Sequence, residues 1–402
     1  LSVTYRTTTT MGEDATISLF DLYFPLPYRV LMLVNLGLLM WHLNLLACKI
    51  FKIDILMVLK ISQQELTLSK LLYRSKKRLL NVSLVNSVNY FIYLFLVANE
   101  ITLTVSEWFP LFGIIFTFII LLKNDPSYES ARLNQTIKRV IRGDIDVSIR
   151  NNDILLTDTF TSYNKVLVDF FIYISALILG MQTLPNGSDL SKELSKNHLQ
   201  FYNFDVLLAN FPSFLRLKQC LKEFNLSNKQ NMQHLFNAIK YSTAFLPTIS
   251  IILFKSGILK SQSLWYFTTF INSSYSFYWD ITNDWNFGFF SKFLSSKSNV
   301  KILRNKLLYN KPVYYLAIII DFQLRFLWFY KLVYLTSSSP SKPENINSFA
   351  NFITILFTTE FGNFLLEILE IFRRWVWVFL KVETEYIKLV SSTDFIEMQS
   401  FD

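Results

Sequence analysis

Asp280 and Asp284 stand one helical turn apart in SYSFYWDITNDWNFGFF, residues 274–290, where they are the only charges. The same i, i+4 spacing recurs in Asp321 with Arg325 and in Glu370 with Arg374, so each pair shares one helix face. Other ionisable residues interrupt apolar stretches: Asp158, Asp169, Asp205, Arg216, Lys240, Glu360, Glu367 and Arg373. Such groups are costly in hydrocarbon and mark ion pathways by default. An arginine fork in a low-dielectric cavity binds a tetrahedral oxyanion bidentately. Neighbouring carboxylates hold the fork in place, offset its charge when the site is empty and keep the ion from being trapped. The chemistry suggested is anion binding by Arg216, Lys240, Arg325, Arg373 and Arg374. A single acid–base pair serves helix packing as readily, and Asp169 and Asp205 read as structural or boundary residues. The Arg373-Arg374 pair also fits a juxtamembrane lipid anchor.

Composition names the elements that must position these groups. Of 402 residues, 51% are hydrophobic, 17% aromatic and 17% charged, with only 9 glycines and a mean hydropathy of +0.31. That is far more apolar than a soluble domain. The fold expected is all-α, a polytopic membrane helical bundle. Apolar runs at 30–50, 84–104, 108–123, 158–181, 236–258, 264–283, 312–336 and 348–372, with weaker ones at 201–218 and 373–390, predict eight to ten transmembrane helices. The chain divides into an N-terminal tail (1–29), N-terminal membrane helices with basic connectors (30–154), a charge-bearing bundle (155–390) and a C-terminal tail (391–402). Connectors are expected at 69–79, 123–153, 182–200 with its Pro185-Asn186-Gly187 turn, 291–311 and the Ser/Pro-rich 337–347. The basic runs 49–78 and 291–311 are placed on the cytoplasmic side. The net charge of +9 is read against lipid and anions, and no nucleic-acid partner is expected.

Enzymatic chemistry finds little support. No Gly-x-x-x-x-Gly-Lys-Ser/Thr run and no Gly-x-Ser-x-Gly motif occur. His42, His198 and His234 are scattered, without metal-ligand spacing, and Cys48 and Cys220 suggest neither a disulfide framework nor a metal knuckle. No catalytic residue, cofactor or metal is expected.

Six ordered segments carry a family resemblance. WDITNDW (279–285), LRFLW (324–328) and LEILEIFRRWVWVFLKVETE (366–385) resemble the three C-terminal signatures of the EXS family, which contains eukaryotic phosphate exporters. Upstream, TDTFTSYNKV (157–166), FLRLKQCLKEF (214–224) and NAIKYST (237–243) resemble further family elements, although Lys218, Lys222 and Glu223 replace a more arginine-rich pattern. The exporters carry a large N-terminal inositol-phosphate sensor domain. Fewer than 30 residues precede the first apolar run here, so the resemblance is to the short Golgi branch.

The resemblance implies a phosphate path formed by Asp158, Arg216, Lys240, Asp280, Arg325, Arg373 and Arg374. Thr161 and Tyr241 would be neutral hydrogen-bonding partners, Trp328 an aromatic gate, Glu370 the acid that orients the arginine pair, and Asp321 and Asp284 supports. Asp280 is expected to face the path and Asp284 to lie nearer the interface. The function implied is a multi-pass Golgi membrane transporter that returns lumenal inorganic phosphate from glycosylation to the cytosol and supports retention of Golgi glycosyltransferases and lumenal ER proteins. The alternative is a membrane sorting adaptor that binds glycosyltransferase tails and vesicle coat through basic loops such as 69–79. Expected partners are inorganic phosphate, membrane lipids and, under either reading, Golgi glycosyltransferases and vesicle coat; a homodimer stays open.

Overall fold

The computed structural model describes residues 2–4, 16–61, 66–99, 103–123, 128–181, 204–294, 301–336 and 348–399. Apart from a short antiparallel pair, Ser2–Thr4 with Thr16–Ser18, the regular structure among them is helical. The expected Pro185-Asn186-Gly187 turn, His198 and the 337–347 connector lie outside the described residues.

After α1 (Leu19–Tyr23), α2 (Leu26–Ile50) opens with Pro25 as its cap and Pro27 in its first turn, where a missing amide proton costs nothing. It packs against α4 (Leu68–Ala98) and the final helix. Between them α3 (Ile55–Val58) is capped by Asp54, whose carboxylate accepts from the Leu56 and Met57 amides at 3.0 and 3.2 Å. The stretch 69–79, expected as a connector, instead forms the first turns of α4, begun by Thr67. Apolar residues of α4 and of α5 (Leu103–Leu122), including Leu84, Phe91, Phe95, Phe112 and Phe116, point outward. An exposed apolar face of this extent suits lipid.

The 123–153 connector carries α6 (Tyr128–Ile141), closed by Gly143 at φ 64°. Beyond it the chain is built from helix pairs interrupted where single spans were expected. The pairs are α7 (Arg150–Thr161) with α8 (Asn164–Ile178), α9 (Phe204–Ala209) with α10 (Phe211–Leu226), and α11 (Met232–Thr243) with α12 (Phe245–Lys255). α13 (Ser263–Trp279) runs into a π turn, Asp280–Asp284, and the short α14 (Phe289–Leu294) follows. Next come α15 (Lys311–Arg325) with α16 (Leu327–Thr336), and α17 (Ser348–Thr358) with α18 (Glu360–Gln399). Pro212 and Pro247 explain two interruptions, since a proline cannot bond the preceding turn. The α17–α18 break bends by 90°. The weak run 373–390 is not a separate span but the continuation of α18.

Among the described residues, two helices are long and apolar enough to cross a membrane, α2 and α4, or three if α17–α18 is one bent span. The count of eight to ten stands as a proposal, because the remaining runs form interrupted or shorter helices. The largest apolar cluster gathers around Trp285, Tyr314 and Trp377, joining α2, α3, α15 and α18. It seats the long final helix against the breaks of its neighbours.

Candidate anion site

Asp158, near the C-terminal end of α7, is 2% exposed. Its Oδ1 accepts from Arg216 Nε at 2.8 Å and from the Tyr241 hydroxyl at 2.5 Å, and Arg216 stacks on the Tyr241 ring at 5.2 Å. Three helices thereby meet at one carboxylate. Arg216 also donates to Gln219 Oε1 at 3.0 Å, and Gln219 Nε2 donates to Thr157 Oγ1 and the Asp144 carbonyl.

Asp280 is fully buried in the π turn. Lys240 Nζ donates to its Oδ1 at 3.0 Å, Arg325 donates to Oδ2, and Arg373 Nη1 lies 3.9 Å away. A π turn adds a residue to the helical repeat and rotates the following side chains, a device common at functional sites. Asp321 bridges Arg325 Nε at 3.0 Å and Arg373 Nη1 at 3.1 Å. Glu370 grips Arg373 with both oxygens, at 2.5 and 3.0 Å.

Arg374 is held differently. Its Nε donates to Ser162 Oγ at 2.9 Å and its Nη2 to Thr161 Oγ1 at 3.0 Å, and its guanidinium lies 4.8 Å above the Trp377 ring. Among the described residues no carboxylate stands within ion-pair distance of it. Thr161 donates in turn to the Asp158 carbonyl at 2.7 Å.

All the site residues named from sequence, except Trp328, fall in this one network. Five cations, Arg216, Lys240, Arg325, Arg373 and Arg374, face four directly engaged carboxylates, Asp158, Asp280, Asp321 and Glu370. Trp328 stands just outside, its Nε1 donating to Ser273 Oγ at 3.2 Å, while Ser273 donates to the Arg325 carbonyl at 3.2 Å. Asp284 is 9% exposed, accepts from Lys381 Nζ at 3.0 Å and from Trp377 Nε1 at 3.3 Å, and lies 3.8 Å from Lys240.

Several contributors were not singled out by sequence: Ser162, Gln219, Trp377 and Lys381. A usable signal existed for the last two. Glu367, Glu370, Arg374, Trp377 and Lys381 follow one another at alternating steps of three and four, which is one helix stripe. The departures at Lys218, Lys222 and Glu223 also have a local use. Lys218 donates to the Arg142 carbonyl at 2.7 Å, Lys222 pairs with Asp144, and Glu223 pairs with Arg150, so α10 clamps the 142–150 turn. The Lys222 hydrogen bond holds the exposed Asp144 carboxyl below the usual carboxylate range. Arg304, from the basic run 291–311, has a side chain that is 7% exposed. It donates to the Trp285 carbonyl at 2.8 Å and Thr384 Oγ1 at 2.6 Å, and it pairs with Glu383.

Long apolar helices around an internal network of arginines and carboxylates define a helical membrane protein with a closed polar site. The EXS family profile matches residues 24–387, and the chain belongs to the EXS family. It is 34% identical over 293 residues to Protein ERD1 of Kluyveromyces lactis, covering 69% of each chain. It is 31% identical over 254 residues to Protein ERD1 of Saccharomyces cerevisiae, covering 61% of this chain and 58% of that one. With Solute carrier family 53 member 1 of Homo sapiens it shares 29% over 249 residues, which is 58% of this chain and 32% of the relative.

Proposed function

We propose that this protein is a Golgi membrane transporter for inorganic phosphate, returning phosphate released by lumenal glycosylation to the cytosol and thereby supporting retention of Golgi glycosyltransferases and lumenal ER proteins. The observation that carries the reading is Arg374: among the described residues, a buried guanidinium stacked on Trp377 whose hydrogen-bond partners are hydroxyls, beside cations already steadied by acids. Hydroxyls are weaker partners for a guanidinium than an oxyanion, so phosphate displaces them with a gain. The carboxylates on the other four cations limit that gain and permit release.

The site residues act together. Arg374 and Lys240 contact the oxyanion, Arg216 and Arg325 complete the positive lining, and Asp158 and Asp280 hold the lining in register when no ion is bound. Tyr241 and Thr161 supply neutral donors and acceptors. In this conformation Asp158, Arg216 and Asp280 are each at most 2% exposed, so passage requires an opening motion. A solute-carrier relative supports transport as the class of function.

The test is labelled-phosphate flux in proteoliposomes with the full chain and with Arg374→Ala. Flux lost in the variant supports the reading; unchanged flux rejects the site. The sorting-adaptor reading keeps one observation, the exposed Lys76 and Lys77 on the first turns of α4. It predicts that charge removal there abolishes enzyme retention while phosphate flux persists.

A further inference from the structure

Lys331, on α16, belongs to none of the networks above. It is the only charge in the apolar run LWFYKLVYLT, residues 327–336. Its Nζ lies 5.6 Å from the centre of the Trp265 ring on α13 and 6.0 Å from that of Phe357 on α17. Among the described residues no carboxylate stands within ion-pair distance of it. Ring faces steady an ammonium through their quadrupole and leave its charge whole. A cation kept in an apolar helix without an acid is by default a place for an anion.

A line of contacts leads from this ammonium to the candidate anion site. The Trp265 and Tyr266 rings are centred 4.9 Å apart, and those of Tyr266 and Trp328 6.2 Å apart. Trp328 in turn is tied to Ser273 and through it to the Arg325 carbonyl. It stands three residues before Lys331 and shares its face of α16. On α13 the step from Trp265 to Ser273 is about 12 Å of helical rise, too far for one tetrahedral oxyanion to touch both levels. The basic run 291–311 follows α13 and precedes α15, so Trp265 and Lys331 both lie at the ends away from it. With that run on the cytoplasmic side, the Lys331 end faces the lumen.

We propose that Lys331, steadied by Trp265 and Phe357, is a lumen-side receiving site for inorganic phosphate, on the far side of Trp328 from the central arginines. The inference rests on the transport reading above. A cation without a counter-charge at the mouth of a path raises the local concentration of anions. Lys260, exposed in the turn between α12 and α13, adds to the positive potential of the same end. A single ammonium offers no fork, so it holds phosphate loosely and yields it to Arg325, Arg373 and Arg374, which bind an oxyanion bidentately. The two positions differ in kind: the outer one collects, the inner one selects. A phosphate-bearing lipid headgroup presents the same oxyanion to a lysine that reaches the membrane surface, and the experiment separates the two sources.

The experiment measures acylation of Lys331 by an amine-reactive reagent, read by mass spectrometry, in the full chain reconstituted in phosphatidylcholine. Inorganic phosphate is expected to protect Lys331, and chloride at equal ionic strength is not. Vesicles with added phosphatidylserine form the second arm. Protection by phosphatidylserine with none by phosphate makes Lys331 a lipid anchor and overturns the proposal, as does no protection in either arm. Labelled-phosphate flux is then compared in Lys331→Met and Lys331→Arg. The methionine variant is expected to raise the half-saturating phosphate concentration by about three- to tenfold, and the arginine variant to hold it near the parent value. Unchanged half-saturation in the methionine variant overturns the receiving role. Protection by phosphate with no flux in any of the proteins overturns the transport reading, and the receiving role with it, while leaving the phosphate contact at Lys331 in place.

Discussion

Ser162 and Arg374 join across the break between α7 and α8: Ser162 Oγ accepts from Arg374 Nε at 2.9 Å and donates to Glu370 Oε1 at the same distance. One hydroxyl thus sets an arginine and passes its orientation to a carboxylate. Arg374→Ala is expected to reduce phosphate flux by at least about a hundredfold and Arg374→Lys by about tenfold, because the ammonium keeps the charge and loses the fork. Ser162→Ala leaves the arginine and should cost only severalfold. Initial rates of labelled-phosphate uptake check the order, and equal rates in all three variants would refute it.

Asp280 compensates three cations from three helices, whereas Asp284 serves chiefly Lys381. Asp280→Asn leaves Lys240 and Arg325 short of a buried counter-charge, a loss of about 3–5 kcal/mol for such pairs. The expected outcome is a marked drop in melting temperature together with loss of flux. Asp284→Asn keeps an acceptor for Trp377 and should retain more of both. A detergent melting curve beside each flux assay decides; equal tolerance at the two positions sinks the assignment.

The hydroxyl of Tyr241 is a direct donor to Asp158 at 2.5 Å, while its ring supports Arg216 and Lys240 from 5.2 Å. Tyr241→Phe keeps the ring and removes the donor, so flux is expected to fall by about three- to tenfold with the fold intact. Tyr241→Ala removes both and should fall further. A phenylalanine variant with the rate of the parent chain would show that the hydroxyl has no part in the path.

Gly362 lies where α18 folds back on α17, and a Cβ there falls against the carbonyl oxygens of Ile355 and Leu356 inside contact distance. Gly362→Ala must open the bend, at a cost of about 1–3 kcal/mol. Thermal unfolding measures it directly; an unchanged midpoint would mean that the bend gives way freely.

The charges of the site were legible in sequence because an acid or base within an apolar run is too costly to persist there without a partner or a use. Their convergence was not, since i, i+4 spacing places Asp321 beside Arg325 on one helix and says nothing of Arg373 bridging to the same carboxylate from another. Hydropathy found the apolar runs but passed over their interruptions, because it does not register Pro247 behind the Ala244 break, and Phe326 is an ordinary helix residue whose break is set by tertiary packing. The partners of Asp284 were hidden for a related reason. A π turn carries it toward Trp377 and Lys381, and no local pattern announces a five-residue turn.

The breaks have a mechanical consequence. Those at Ser162–Tyr163, Ala244, Asp280–Asp284 and Phe326 each fall within four residues of a group in the candidate anion site, so four of the surrounding rods are jointed beside it. A joint lets one half of a rod swing while the other half keeps its neighbours. Under the transport reading an opening motion would use these joints, whereas α18 runs without a break from Glu360 past Lys381.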